Sequence, residues 1–344
     1  MVVENPISSS ANRVRLSLPS KGRLIDDSMN FLSECGLPVF KPNPRQYQAT
    51  ISSLPELLVL FQRPVDIVVS VRDGSVDFGI TGLDVVEEHR GNEDKVLVLH
   101  EALGYGNCAL TLAVPESWES VNDLSGLASY VRKVGRPIRI ATRYPNLTAK
   151  FLGDYDIPFT LISAEGTLET APAIGYADMI SDLVSSGQTL RDNRLRPLTD
   201  GVILRSQAVL IANIDSLKNN PEALTTARYL LEYFDAHLRA KDNLAIFANI
   251  RGKSPEAIAE KIFSQPTIRG LQGPTISRVI VQQKGEEWYA VNIIVRRSEL
   301  YQAIAELRAV GGSGVVVLPV SYIFEEEPPR FKAMLEAIRS SNRK

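Results

Sequence analysis

Asp178-Met179-Ile180-Ser181-Asp182-Leu183-Val184-Ser185-Ser186-Gly187-Gln188-Thr189-Leu190 decides how the chain folds. Residues 178–184 are apolar enough for a buried strand, Ser185-Ser186-Gly187 breaks it, and a helix can begin near Thr189. The same strand–turn–helix grammar recurs outward from this unit. Residues 14–18 read as a strand that runs into Pro19-Ser20-Lys21-Gly22-Arg23, followed by a helical stretch over 24–35 that ends at Gly36. Further strands are expected at 77–82, 96–101, 109–114, 138–142, 159–162 and 208–213. Helices are expected at 146–152, 170–176 and 221–239. Strands alternating with helices predict an α/β fold with largely parallel sheets.

The last third has a different rhythm. A strand over 244–250 precedes Ser254-Pro255-Glu256, a cap residue followed by proline at the first helical position. Two strands, 275–283 and 288–296, flank Lys284-Gly285-Glu286 as a hairpin. A helix over 298–310 stops at Gly311-Gly312, and 314–320 closes the set as a strand. The order β-α-β-β-α-β is the ferredoxin-like arrangement. An amphipathic helix over 329–338 follows.

At 344 residues the chain holds two or three domains. Thirty-eight Lys and Arg against 40 Asp and Glu leave a net charge of −2, so the basic excess of a nucleic-acid binder is missing. Two cysteines exclude a disulfide framework and a Cys-rich zinc site. The longest apolar runs, such as 315–320, fall far short of a membrane span. Residues 1–12 are polar and Ser-rich, which suits a frayed terminus or the stub of a removed transit peptide. A reducing, soluble compartment fits both.

The turn at Ser185-Ser186-Gly187 carries the chemistry. Small residues leave backbone N–H groups uncovered, and a following helix adds further N–H groups and a positive partial charge. Ser185, Ser186 and Thr189 add hydroxyls, and with no Walker-type lysine the turn suits a phosphate monoester held by neutral donors. A plain strand-to-helix turn explains the same residues. Asp178 and Asp182, four apart on one strand, share a face, and Asp182 stands beside the turn. A carboxylate there suits ribose hydroxyls, or Mg²⁺ through water. Lys21-Gly22-Arg23 suits a phosphate-rich ligand or a solvated basic turn. Asp84 suits a ligand contact or a helix N-cap. The three histidines show no metal spacing, and no G-x-S-x-G elbow is present.

These stretches resemble, in order, the ATP phosphoribosyltransferase family. They are Leu18-Pro19-Ser20-Lys21-Gly22-Arg23-Leu24, Asp77-Phe78-Gly79-Ile80-Thr81-Gly82-Leu83-Asp84, Arg139-Ile140-Ala141-Thr142, and Glu169-Thr170-Ala171-Pro172 through Asp182 to Leu190. Leu271-Gln272-Gly273-Pro274-Thr275 and Ala309-Val310-Gly311-Gly312-Ser313-Gly314 look like the C-terminal domain of its long forms. Asn43-Pro44-Arg45-Gln46-Tyr47 looks like the plant-type branch. The resemblance implies a bilobed core like type II periplasmic binding proteins, with lobe I at 13–100 and 206–238 and lobe II at 101–205. A ferredoxin-like (ACT-like) regulatory domain is implied at 240–344.

The implied reaction joins N1 of ATP to C1 of 5-phosphoribosyl 1-pyrophosphate with Mg²⁺, releases pyrophosphate, opens histidine biosynthesis and is inhibited by histidine. The resemblance places the 5-phosphate on Ser185, Ser186, Gly187, Gln188 and Thr189, and the ribose or its Mg²⁺ on Glu169, Asp178 and Asp182. Lys21, Gly22, Arg23 and Arg63 are implied against pyrophosphate or ATP phosphates. Gly82 and Asp84 are implied along the nucleotide cleft, with Tyr105 near the base. Histidine is implied at Asn249, Leu271, Gly273, Thr275 and Gly314, with Asn249 standing where some relatives carry Asp. A homo-oligomer, dimer to hexamer, is implied, in the cytoplasm or, for a processed plant-type chain, the plastid stroma. The alternatives are a non-catalytic solute-binding protein of the same bilobed fold and a regulatory paralogue.

Overall fold

The computed structural model describes residues 13–43, 45–164, 166–281 and 287–341. The hairpin turn at 284–286, the N-terminal twelve residues and Pro44 lie outside the described residues. The chain divides into two compact units, residues 1–228 with 330–344, and residues 229–329. The C-terminal segment therefore groups with the first unit, whereas 240–344 was expected to form one regulatory domain.

The first unit holds two sheets. Strands β1 (Val14–Pro19), β2 (Val39–Phe40), β3 (Gln48–Ile51), β4 (Leu54–Gln62), β5 (Phe78–Gly82) and β6 (Val96–His100) lie in one. Strands β7 (Cys108–Pro115), β8 (Ile138–Thr142), β9 (Phe159–Ser163), β10 (Met179–Val184) and β11 (Leu195–Ser206) form the other. The chain then returns as β12 (Ala208–Asn213). The strand orders are β2-β3-β4-β1-β5-β12-β6 and β11-β7-β10-β8-β9.

Helices α1 (Ile25–Glu34), α2 (Pro64–Arg72) and α3 (Leu83–His89) belong to the first lobe. Helices α4 (Leu124–Val134), α5 (Pro145–Gly153) and α6 (Gln188–Asp192) belong to the second. Helices α7 (Ile214–Asn219) and α8 (Pro221–Lys241) follow β12.

The sheets are mixed, not largely parallel. Strands β4, β1 and β5 run parallel, as do β10, β8 and β9, but β12 is antiparallel to β5 and β6, and β7 is antiparallel to β10 and β11. The double crossing places β12 and β7, and the local β2–β3 and β3–β4 pairs are antiparallel as well. The chain leaves the first sheet after β6 and re-enters through Gln207, which alone separates β11 from β12. The two crossing segments bond each other, with Ala208 N–H donating to the Tyr105 carbonyl at 3.0 Å and Leu103 N–H to the Ala208 carbonyl at 3.1 Å. Strand β11 carries no clean alternation, which hid it in the sequence. The helix expected over 170–176 is a 3-10 turn at Leu168–Thr170 followed by turns, because Pro172 and Gly175, at φ +73°, do not sustain a helix.

The second unit contains β13 (Asn243–Arg251), α9 (Pro255–Phe263), β14 (Thr275–Val279), β15 (Trp288–Arg296), α10 (Leu300–Ala309) and β16 (Gly312–Pro319). Helix α11 (Pro329–Ser341) follows. The sheet is antiparallel throughout, in the order β14-β15-β13-β16. This is the βαββαβ order read from the sequence. Ile246, Ile250, Val291, Ile293 and Val295 pack under Ile258 and Ile262 of α9 and Leu307 of α10. The Ser254 side chain caps α9 by accepting from Ala257 N–H.

Candidate active site

The parallel strands of the first sheet set one cluster. In the β1–β4 ladder Pro19 stands opposite Gln62, and Ser20 N–H donates to the Gln62 carbonyl at 2.7 Å. Lys21-Gly22-Arg23 and Arg63 therefore leave the same carboxyl edge, where open α/β sheets bind ligands. Lys21, Gly22 and Arg63 are exposed, and Gly22 at φ +87° has open space where a side chain would stand. Arg23 reaches across to lobe II. It donates to the Gly106 carbonyl, to Cys108 Sγ at 3.2 Å and to Asp84 Oδ1 at 3.5 Å. Gly82 caps α3 in extended backbone, and a side chain there would strike the Asp84 carboxylate.

The β10–α6 turn forms the second cluster. Glu169, Asp182, Val184, Ser185, Ser186, Gly187, Thr189 and Leu190 line one pocket. Ser185, Ser186, Gln188 and Thr189 are exposed, and the Ser185 and Thr189 hydroxyls have no protein partner among the described residues. Gly187 takes φ +71° and caps α6, while Ser186 Oγ accepts from Gln188 N–H. Asp182 is buried beside them. Its carboxylate accepts from Arg143 at 3.1 Å and from Leu183 N–H at 2.8 Å. Burial raises the Asp182 carboxyl above its ordinary range, and it outweighs the opposing pull of Arg143.

Three expected residues are committed elsewhere. Asp178 precedes β10, at the opposite end from the turn, and its carboxylate is held by Arg136 at 2.6 Å and by the Arg139 side chain and amide at 2.9 Å. Although the two share a strand face, four residue steps of extended chain separate it from Asp182, roughly 13 Å at the rise of a strand. Tyr105 does not stand open to a base. It is largely buried against Phe31, donates to Ser28 Oγ at 3.0 Å, and burial pushes its phenol up. Asp84 does not line an open cleft, being 1% exposed, with both oxygens engaged by Ser206 Oγ at 2.5 Å and Tyr144 OH at 2.8 Å.

Asp178 therefore yields a distinguishing prediction. Asp178→Asn should cost about 1–3 kcal/mol of stability by loosening Arg136 and Arg139, with Michaelis constants within about twofold of the parent. The Arg136 guanidinium, seconded by Arg139, holds the carboxyl well below the usual range. A depressed pKa contributes stability above the unfolded value of about 4, lost as pH falls through the folded value. Thermal melts against pH should show the gap between parent and variant narrowing toward acid.

The sequence reading missed Arg143, Tyr144, Arg191, Ser206 and Glu88. Arg191 lies over the turn, donating to the Ser186 carbonyl at 3.3 Å and to Gln188 at 2.9 Å, so the turn is not served by neutral donors alone. Arg143 and Arg191 each directly follow a quoted stretch, and that adjacency was the available signal.

Among the described residues no group of three or more His, Cys, Asp or Glu could hold a metal ion. Asp182 and Glu169 share the pocket as two carboxylates. That donor set fits a magnesium ion carried mainly by phosphate oxygens and water. The larger surface cavity, lined by Arg13, Arg15, Asp77 and Glu222, opens at the amino ends of β1 and β5, away from the site.

A hydroxyl-lined turn, a buried carboxylate and arginines at the carboxyl ends of two α/β sheets define a site for phosphorylated, polyhydroxylated ligands. The comparisons narrow the class. The ATP phosphoribosyltransferase family model matches residues 63–232, and the model of the HisG C-terminal domain matches 240–322. ATP phosphoribosyltransferase 2, chloroplastic, of Arabidopsis thaliana is 46% identical over 94% of this chain and 80% of its own. The ATP phosphoribosyltransferase of Bradyrhizobium sp. is 33% identical over 95% of this chain and 98% of its own. A solved ATP phosphoribosyl transferase (HisG:HisZ) complex from Thermotoga maritima matches 64% of this chain and 96% of its own at a TM-score of 0.50 and 23% identity, a likeness of fold. The chain belongs to the ATP phosphoribosyltransferase family. Its activity is the phosphoribosyl transfer that opens histidine biosynthesis.

Proposed function

We propose that the β10–α6 turn seats the 5-phosphate of 5-phosphoribosyl 1-pyrophosphate, while Asp182, seconded by Glu169, orders the ribose hydroxyls. The observation carrying this reading is the buried Asp182 carboxylate beside the exposed Ser185 and Thr189 hydroxyls, unpartnered among the described residues, in one pocket. Lys21, Arg23 and Arg63 stand at the edge where a pyrophosphate needs cations, with Gly22 leaving room for close approach, whereas Gly82 is packed against Asp84. Asp84 contributes by holding Arg23 and Tyr144 rather than by touching the nucleotide.

In the reaction the lone pair on N1 of ATP forms the N1–C1 bond. The C1–O bond breaks, and its electron pair leaves on pyrophosphate. Positive charge develops on the ribose and negative charge on the leaving group, so fixed anchors and cations matter more than a general base. Asp182 and Glu169 would help hold a magnesium ion, which when bound would supply charge neutralisation of the leaving group.

The second unit is proposed as an ACT-like regulatory module that binds histidine. Asn249 pairs with Ala290 and Ser313 across the sheet, and Gly314, at φ +60°, lies against the Asn249 amide. Thr275 opens β14, and Gly273, at φ +108°, shapes the preceding loop beside exposed Leu271. The chloroplastic relatives support a plastid stroma, the HisG:HisZ complex of the Thermotoga relative supports oligomerisation, and a homo-oligomer, dimer to hexamer, is the proposed assembly.

Pyrophosphate release tests this. Turnover is expected only with ATP, the phosphoribosyl donor and Mg²⁺ together, and added histidine should slow it. No turnover would return the chain to a non-catalytic role. Turnover untouched by histidine would remove the regulatory assignment alone.

A further inference from the structure

We infer that Glu88 is a positioning residue for phosphoribosyl transfer: from lobe I it caps helix α5 of lobe II and so sets the corner that presents Arg143 to Asp182. The inference rests on the ribose role proposed for Asp182.

Helix α5 begins at Pro145, which has no N–H, and its N-cap residue Tyr144 makes no side-chain cap bond. Its first free amides belong to Asn146 and Leu147. Both are satisfied from the other lobe. Glu88 Oε1 accepts from Asn146 N–H at 2.8 Å and Oε2 from Leu147 N–H at 2.9 Å, with Glu88 only 4% exposed. The Asn146 side chain returns a bond to the Glu88 carbonyl at 3.1 Å. A carboxylate here also meets the positive end of the helix.

One turn earlier on α3, Asp84 accepts from Tyr144 OH at 2.8 Å. Two buried carboxylates of lobe I thus hold consecutive parts of one lobe II corner. Between that corner and the end of β8 lies Arg143, whose guanidinium reaches Asp182 at 3.1 Å. Tyr144 N–H bonds Thr142 Oγ1 at 2.9 Å, which leaves the corner little slack. A shift of α5 therefore moves Arg143, and with it the carboxylate that faces the sugar.

Glu88→Gln keeps the shape but turns one acceptor into a donor that faces an amide N–H. In the full-length, folded protein we expect kcat to fall about tenfold with a raised KM for the phosphoribosyl donor. The deciding measurement is a double-mutant cycle with Asp182→Asn. A residue acting through Asp182 should lose nearly all its effect once Asp182 is replaced, whereas a helix cap of purely structural value should cost the same in both backgrounds. Equal losses in the two backgrounds, or unchanged kcat in folded Glu88→Gln, would overturn the inference. Should Glu88→Gln fail to fold, Asn146→Ala removes only the returning bond, and its smaller loss of about two- to threefold must show the same dependence. Unchanged kcat in Asp182→Asn alone would instead overturn the reading of Asp182.

Discussion

Asp182→Asn should lower kcat by about 10²- to 10³-fold while leaving the melting temperature near that of the parent. The replacement is isosteric, so packing around the buried strand end is kept. What changes is charge and hydrogen bonding, because an amide offers one accepting oxygen where the carboxylate offers two. Arg143 loses an ion-pair partner but is itself half exposed and can turn to water. The developing positive charge on the ribose then loses its nearest buried anion. Burial already lifts the Asp182 carboxyl, so the parent's acid limb of kcat/KM should lie above the ordinary value of about 4. Activity rises with pH as the carboxyl ionises, and that limb should vanish in the asparagine variant. A kcat within about threefold of the parent would remove Asp182 from the reaction.

Gly187→Val should raise the KM for the phosphoribosyl donor by about 10- to 100-fold and leave that for ATP nearly unchanged. Gly187 occupies the left-handed region at φ +71°, which a β-branched residue adopts only with strain of roughly 1–2 kcal/mol. A side chain there would also stand 3.2 Å from the Arg191 guanidinium. The turn has to reorganise, and its amides no longer converge on one phosphate. Gly135 provides the control. It ends α4 at φ +70° with open space around it, so Gly135→Val carries the same backbone strain outside the site. Steady-state kinetics on both variants, with melting curves, separate lost phosphate binding from lost stability. A donor KM moved equally by both substitutions would show that the turn matters only for folding.

Much of the site was legible because its signals are local. The apolar run into Ser185-Ser186-Gly187, the basic turn at Lys21-Gly22-Arg23 and the capped helix after Ser254 each announce a conformation through neighbouring residues. Three expected contacts meet one shared circumstance. Asp178, Asp84 and Tyr105 were read as facing a ligand because of the company they keep in sequence. Their side chains were already taken, by Arg136 and Arg139, by Ser206 and Tyr144, and by Ser28. Of the residues missed, Glu88 acts across the two lobes, and Arg143 meets its partner 39 residues away within one lobe.

The sequence alone was enough for the strand–turn–helix units, the αββαβ rhythm that follows β13, and the hydroxyl-bearing turn proposed to seat a phosphate. Those features follow from periodicity, glycine and capping, all set within a few residues. Only the tertiary structure decided which charges meet. Arg143 finds Asp182 across 39 residues, Tyr144 finds Asp84 across 60, and Ser206 finds Asp84 across 122. It also decided that β12, returning from the second sheet, inserts antiparallel between β5 and β6. No short-range signal encodes such pairings, since a buried carboxylate is specified by whatever donor the fold carries to it.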